Sequence, residues 1–477
     1  MRGALTAGGI ITRAPRTLVG AAAITFAAGL FGCTVENGPT SPAQLLTAAG
    51  FRVQEGHVSV FRVEDCELLE RCFGNNVAAP YLLFNLPGFP DDEASVPPPS
   101  LGPIPGVPEN MAPAYFLESN EVVWIEGEHP TSASYFGFTP YLFQRSDVLG
   151  ERVPVFASLS DTVNDVSIAA SPDASFSILI GSDRDAMQSA HEAIVAGGGG
   201  SKSFINELIL PRDKIRHGRG ADDDTLLILG RTAFGGEDPR RASYLEDVPL
   251  RVYRITPKNT GQARVVPARA PRGDGTSEDG LNDALDTLEA AIIANLGGVP
   301  HSKITMTSAA IISTLINPDA CLEDVTECLG DNSDTTYAAG PLDVIQGAGE
   351  LKLGADDRII IYGVNHRAAG KAIYSNVSVY SDDRRIGVAA ITDKEMEGTT
   401  AWLDSPTAEM KDLFVYEVRR DCGSVENCLA LPEDFPGVPL NEDLFFIFRA
   451  YINPGLAVSA APEELLTERV IFVPGGG

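Results

Sequence analysis

Residues 135–141 read Tyr-Phe-Gly-Phe-Thr-Pro-Tyr, and residues 374–380 read Tyr-Ser-Asn-Val-Ser-Val-Tyr. The two stretches share their tyrosine spacing, and each is apolar and β-rich enough for a strand. They also share neighbours, in one order. Upstream lie Cys72-Phe-Gly-Asn-Asn76 and Cys328-Leu-Gly-Asp-Asn332, then the Gly-closed apolar runs Glu121-Val-Val-Trp-Ile-Glu-Gly127 and Arg358-Ile-Ile-Ile-Tyr-Gly363. Downstream, Val155-Phe-Ala-Ser-Leu-Ser-Asp161 parallels Gly387-Val-Ala-Ala-Ile-Thr-Asp393, and Val252-Tyr-Arg-Ile255 parallels Ile447-Phe-Arg-Ala450. Any one match is only what a strand looks like. Their common order points to two copies of one design.

The fold expected is mainly β (α+β): two tandem β-sandwich or jelly-roll-like modules, residues 49–265 and 281–477, joined by a Pro-, Gly- and charge-rich linker over 266–280. The second module opens with an amphipathic helix, because Leu281, Leu285, Leu288, Ile292 and Leu296 recur at helical spacing before Gly297-Gly298. The first module carries a β-α-β-β insertion: a strand at 175–180, a helix at 183–196 capped by Ser182, and strands near 204–210 and 224–231. The proline-rich stretch 87–113 reads as extended surface.

The N-terminus carries an address. Arg2, Arg13 and Arg16 precede an uncharged, mostly apolar run from Leu18 to Gly32, long enough for a signal-peptide core and short for a bilayer span. The run ends in Leu30-Phe31-Gly32-Cys33, which resembles the lipobox of bacterial lipoproteins. That resemblance implies a signal peptide over 1–32, cleavage after Gly32, diacylglycerol on Cys33 and a lipid-bearing tether over 33–48. It also implies a membrane-anchored place in the cell envelope, outside the cytoplasm. For the rest of the chain no family is recognised.

Composition agrees with export. Of seven cysteines, Cys33 takes the lipid and six remain, in the local pairs Cys66/Cys72, Cys321/Cys328 and Cys422/Cys428. Local disulfides are expected, each closing a turn or loop, since six residues of helix hold Cα atoms too far apart to bridge. With 65 acidic against 36 basic residues the formal charge is −29. Such a surface argues against nucleic acid and against unaided docking on anionic lipid.

Chemistry is harder to find. There is no His-Glu-x-x-His and no Gly-x-Ser-x-Gly, and the glycines near Lys371 have the wrong spacing for a phosphate loop. The most informative segment is 363–380, where His366, Lys371, Tyr374 and Asn376 would line the rim of a hairpin as a general base, a cation and stacking or hydrogen-bonding groups. His129 holds the duplicate position in the first module. Asp331, Asn332 and Asp334 form a weak Ca²⁺ candidate, although the EF-hand Gly and Glu are missing; no other cofactor is expected. Arg254 and Arg449, each inside an apolar strand, call for partners, and Asp161 and Asp393 are the repeat-related choices. The expected function is a tethered binding or assembly module with a protein or carbohydrate partner. The alternative is a hydrolase with its site near His366 or between the modules.

Overall fold

The computed structural model describes residues 41–476 except 69–71, 73–74, 93–103, 105, 131, 171–174, 198–203, 235–238, 344–346, 349–350 and 404–406. Residues 1–40, which hold the expected signal peptide and Cys33, and much of the proline-rich stretch lie outside the described residues. The chain is mainly β, with few helices and four main sheets.

Sheet I runs, in spatial order, Arg52–Glu55, Leu250–Thr256, Val122–Glu128, Ser175–Gly181, Ile205–Ile209. Sheet III runs Ser302–Ile304, Arg469–Val473, Arg358–Val364, Leu413–Arg419, Cys428–Ala430. In each, every pair is antiparallel except the last, which is parallel. The main path of sheet II is His57–Phe61, Tyr81–Pro87, Thr225–Ala233, Tyr135–Ser146, Arg152–Ser158. Sheet IV is Thr335–Gly340, Leu444–Tyr451, Tyr374–Ser381, Ile386–Thr392. Strands at equal places in I and III, and in II and IV, also follow one another in the same chain order. The main paths of the two halves therefore have one topology; among the described residues the second lacks the His57–Phe61 strand and the short strands Met111–Ala112, Ala114–Tyr115 and Val163–Asn164 that pair onto sheet II.

That topology re-pairs one landmark. Residues 252–255 lie in Leu250–Thr256, whose counterpart is Arg469–Val473, whereas residues 447–450 lie in the strand matching Thr225–Ala233. The repeat mate of Arg449 is thus Arg231, not Arg254. Neither of the two expected ion pairs forms. Arg254 meets Glu121 at 2.8 Å, Asp161 lies 3.9 Å from Arg269 and Asp393 3.1 Å from Arg367. Glu121 comes from the strand start next to Arg254 across the sheet, a neighbour that sequence distance conceals.

The β-α-β-β excursion is present as Ser175–Gly181, Arg184–Ala196, Ile205–Ile209 and Thr225–Ala233. Its strands have counterparts in the second half, but its helix has none. There the parallel crossover is a loop closed by Cys422–Cys428. Asp183 caps the helix, accepting from Asp185 and Ala186 N–H, in place of Ser182.

Sheets I and II bury one apolar layer, including Phe84, Ile125, Phe138, Ile178 and Ile228. A second joins sheets III and IV and reaches sheet II, with Ile361, Val377, Phe446, Leu227 and Leu229. Helices cover the outer faces. Asn282–Asn295 packs Leu285, Leu288 and Ile292 on sheet III, as its periodicity predicts. Pro42–Ala48 and Arg184–Ala196 cover sheet I. Residues 42–48, read above as tether, are therefore helix, started by a Ser41–Gln44 capping box with Pro42 at the first turn.

Within the apolar contact between sheets II and IV lies a polar patch. Arg231 stands opposite Tyr81 and Gly137; Arg449 stands opposite Tyr337 and Asn376. Arg231 donates to Tyr141 Oη at 2.7 Å and Thr139 Oγ1 at 3.3 Å. Arg449 donates to Tyr380 Oη at 2.6 Å and Ser378 Oγ at 3.3 Å. The guanidiniums also lie over the rings of Tyr81 and Tyr141, and of Tyr337 and Tyr380, respectively. Both arginines are buried, and among the described residues neither has a carboxylate within ion-pair distance. Tyrosine oxygens and π-faces stabilise the charge instead.

Each half also clasps the other. Tyr380 donates to Asn75 O at 2.6 Å, and the Asn75 amide bonds both backbone groups of Gly387. In return Asp331 accepts from Ser158 N at 2.9 Å and Ser158 Oγ at 2.6 Å. The clasps follow Cys72 and Cys328, whose bridges to Cys66 and Cys321 have Cα–Cα distances of 5.4 and 5.7 Å. Cys321 sits in a helix, Pro318–Asp324, which ends at left-handed Val325 and so lets the chain return to it.

Two predictions follow from this joint. Arg231→Lys and Arg449→Lys, which keep charge but lose the planar fork, should each destabilise by about 1.5–3 kcal/mol in denaturant melts; a neutral outcome for either would sink the equivalence. Gly330 has φ +72°, and a Cβ there would lie 2.7 Å from the Phe156 ring. Gly330→Ala should cost about 1–3 kcal/mol by the same assay.

Candidate ligand-binding site at the junction of the two halves

The linker is a strap bonded along its length. Ala270 N–H donates to Asp161 at 2.8 Å, and Arg269 donates to Ser158 O at 2.7 Å, both in the first half. Arg272 then donates to Asn332 O at 2.7 Å and Thr335 O at 3.0 Å, in the second. Gly273 follows at φ +79°, where a Cβ would meet the Glu464 carboxylate at 2.4 Å; only glycine lets the strap lie this close.

Under the strap is a cavity of about 280 Å³. One wall is charged, with Asp161, Arg269, Arg272 and Asp331; the other is apolar, with Ile312, Ile316, Pro318 and Pro462. Burial pushes the Asp331 carboxyl up, against the lowering bonds from Ser158. Burial also pushes Arg272 down, against the pull of Asp331. These four charges are held by backbone and hydroxyl partners and not by hydrogen bonds to one another, and such convergent polar groups beside apolar ones mark a ligand pocket.

His366 and Lys371 do not stand on an open rim. His366 is 4% exposed, with Nδ1 2.8 Å from Glu278 and Nε2 2.9 Å from Glu468. Burial alone would lower its pKa; Glu278 and Glu468 outweigh that and raise it to about 10. The imidazolium is thus held charged, with both nitrogens donating. Lys371 Nζ binds Asp274 at 2.8 Å, Glu464 at 2.9 Å and Thr276 O at 2.7 Å. Together these cations fasten the strap and the C-terminal segment to the turn after Arg358–Val364. The sequence located the charges but not the carboxylates, which lie about a hundred residues away in either direction.

The other candidates are dispersed. Tyr374 and Asn376 are buried at the joint between halves, where Asn376 donates to Tyr374 Oη and to Asn76, each at 3.1 Å. His129 pairs with Asp165 at 2.9 Å at the edge of the first half. Asp331, Asn332 and Asp334 do not surround a common point: Asp331 takes Ser158, Asn332 donates to Tyr337 at 3.1 Å, and Asp334 takes Tyr135 at 2.8 Å and Asn164 at 2.9 Å. Burial raises Asp334 to about 7, against those two bonds. Among the described residues no group of three His, Cys, Asp or Glu side chains is placed to hold a metal. One contact had no sequence signal: Ser182 Oγ is 3.5 Å from His217 Nε2. Its proton goes to Ser119 O at 2.9 Å, and His217 Nδ1 faces Leu117 O at 3.1 Å.

No protein-family model matches the chain, and no curated protein matches it. Among solved structures it is similar to a Burkholderia cenocepacia protein itself described as uncharacterized. The TM-score is 0.36 at 10% identity, covering 84% of this chain and 78% of that one. A likeness so distant carries nothing about function.

The His366 cluster has a defined pH signature. Because the folded pKa is raised from 6.5 to about 10, its stabilisation is complete below 6.5 and is lost as pH rises through 10. His366→Gln, which strands two buried carboxylates, should cost about 3–5 kcal/mol below pH 6.5, and the gap to the unaltered protein should narrow toward pH 10. Thermal melts across that range would refute this by showing a gap that widens.

Proposed function

We propose that this protein is an extracytoplasmic binding protein, tethered to a membrane by lipid on Cys33, that takes up a small zwitterionic ligand in the junction cavity. The observation that carries the reading is the Arg269–Asp161 pair on the cavity wall, 3.9 Å apart. At that separation the charges attract without sharing a hydrogen bond. Each keeps capacity for the carboxylate or ammonium of a guest, and the facing Ile312, Ile316 and Pro462 suit a short apolar side chain.

Binding has more support than hydrolysis. His366, charged and doubly engaged, offers no lone pair to a water or hydroxyl. The Ser182 hydroxyl donates to a carbonyl and not to His217. The envelope address draws on the N-terminal pattern and on three cysteine pairs at disulfide distance, which suit an oxidising compartment. No helix of the described residues is long and apolar enough to cross a membrane, so attachment falls to the lipid.

Calorimetric titration of the mature protein with neutral amino acids and dipeptides should give saturable heat that Arg269→Ala removes. Heat that survives Arg269→Ala, or no heat from any of them, would sink the cavity as the site. Detergent-phase partitioning tests the anchor separately: Cys33→Ser should move the protein to the aqueous phase, and unchanged partitioning would exclude the lipid.

A further inference from the structure

A second concave site lies on the outer face of sheet III, and it shares no lining residue with the cavity under the strap. Its volume is about 360 Å³. The floor is apolar, from Ile360, Val415 and Ile292. The C-terminal end of helix Asn282–Asn295, the turn 398–402 and the disulfide-closed loop 422–428 wall it.

Trp402 stands on that wall 43% exposed, whereas Trp124, the other tryptophan, is fully buried. Among the described residues the Trp402 indole makes no hydrogen bond and no ring contact. Its exposure is not the slack of a loose loop. Thr399 Oγ1 donates to Met396 O at 2.9 Å and accepts from Val415 N at 3.1 Å, and Thr400 Oγ1 donates to Met410 O at 2.8 Å. The backbone leading into the indole is therefore pinned while its face stays partly in water. A rigid aromatic surface kept exposed in a cleft is the usual anchor of a bound ligand.

The rim shows which ligand. Glu417 is held between two arginines, Arg358 at 3.4 Å and Arg419 at 2.5 Å, so its carboxylate is engaged and the outer N–H groups of Arg358 are what the rim offers as donors. The side chains of Asn295, Glu426 and Asn427 have no partner among the described residues and line the same cleft. Asn427 is held there by its carbonyl, which accepts from Glu417 N at 2.9 Å. The cleft thus offers one aromatic face, an apolar floor and a rim of mixed donors and acceptors. Arg358 and Arg419 are balanced by Glu417 and Glu426, so the cleft has no excess positive charge to draw phosphate or carboxylate guests. A pyranose ring has the complementary build: a C–H face for the indole and hydroxyl edges for amide and carboxylate. An organic cation would draw on a cage of several aromatic faces; Tyr416, the other aromatic residue at the cleft, packs against the core on the opposite side of sheet III, which leaves Trp402 to present its face. We propose that this cleft is a binding site for a neutral oligosaccharide, with Trp402 as the stacking platform.

Tryptophan emission tests it directly, because Trp124 is an internal, solvent-shielded reference. The full protein is titrated with N-acetylglucosamine oligomers, with gluco-oligosaccharides and, as the cationic control, with choline. A saccharide should change the emission saturably and protect it from acrylamide, and Trp402→Phe should remove the spectral response. Calorimetry on Trp402→Ala and Asn295→Ala should show affinity weakened about tenfold or more, with unchanged melting temperatures. The proposal is overturned by a response to choline alone, by no response to any saccharide, or by saccharide affinity that both variants retain.

Discussion

Two guanidinium groups sit between the inner sheets of this protein, and most of the architecture is arranged to keep them there. An arginine cannot shed its charge on burial, so its surroundings must supply acceptors in a fixed geometry. Arg231 and Arg449 find them in a tyrosine, a hydroxyl and the flanking rings, at equal positions in equal strands. A slip of one residue in the Tyr135–Ser146 or Tyr374–Ser381 strand would turn Thr139 and Tyr141, or Ser378 and Tyr380, to the opposite face. The tyrosines then extend the constraint across the joint, with Tyr380 bonded to Asn75 O. Register within each half and docking between halves thereby become one condition.

The strap follows from the same economy of charge. Between residues 269 and 278 it crosses from one half to the other, and its arginines and carboxylates are met by groups already placed by the sheets. His366 and Lys371 are buried because the strap's own Glu278 and Asp274 cover them. With so many charges engaged internally, those left facing an open volume are informative. Two such places are the Arg269–Asp161 wall under the strap and the rim beside Trp402.

Much of the fold was legible. The tyrosine-spaced strands, the Leu285–Leu288–Ile292 stripe, the excursion after residue 175 and the local cysteine pairs all rest on short-range periodicity or spacing, which acts over a few residues. The Arg254–Arg449 correspondence failed for the same reason. Both lie in apolar strands of identical local character, and only sheet order shows that Arg231 is the true counterpart. The helix Pro42–Ala48 inside the expected tether 33–48 was not legible because Ser41–Gln44 is a weak signal without the Leu46 docking that stabilises so short a helix.

The candidate site was legible only as a set of residue types. His366 and Lys371 in a glycine-bearing turn look exposed in sequence, since a turn between strands is usually at the surface. Their burial depends on Glu278, Glu464 and Glu468, which approach only when the strap and the C-terminal segment close over the turn. Asp331 and Asp334 likewise resemble a cation loop until Ser158, Tyr135 and Asn164 arrive from the other half. The sequence by itself determined the β-rich class, the helix on sheet III, the cysteine pairing and the acidic balance, because each is decided by neighbours within a few positions. The tertiary structure decided which arginines are equivalent, which charges are spent on holding the halves together and which still face an open cavity. Those outcomes depend on contacts between residues one to three hundred positions apart, whose partners no local pattern can encode.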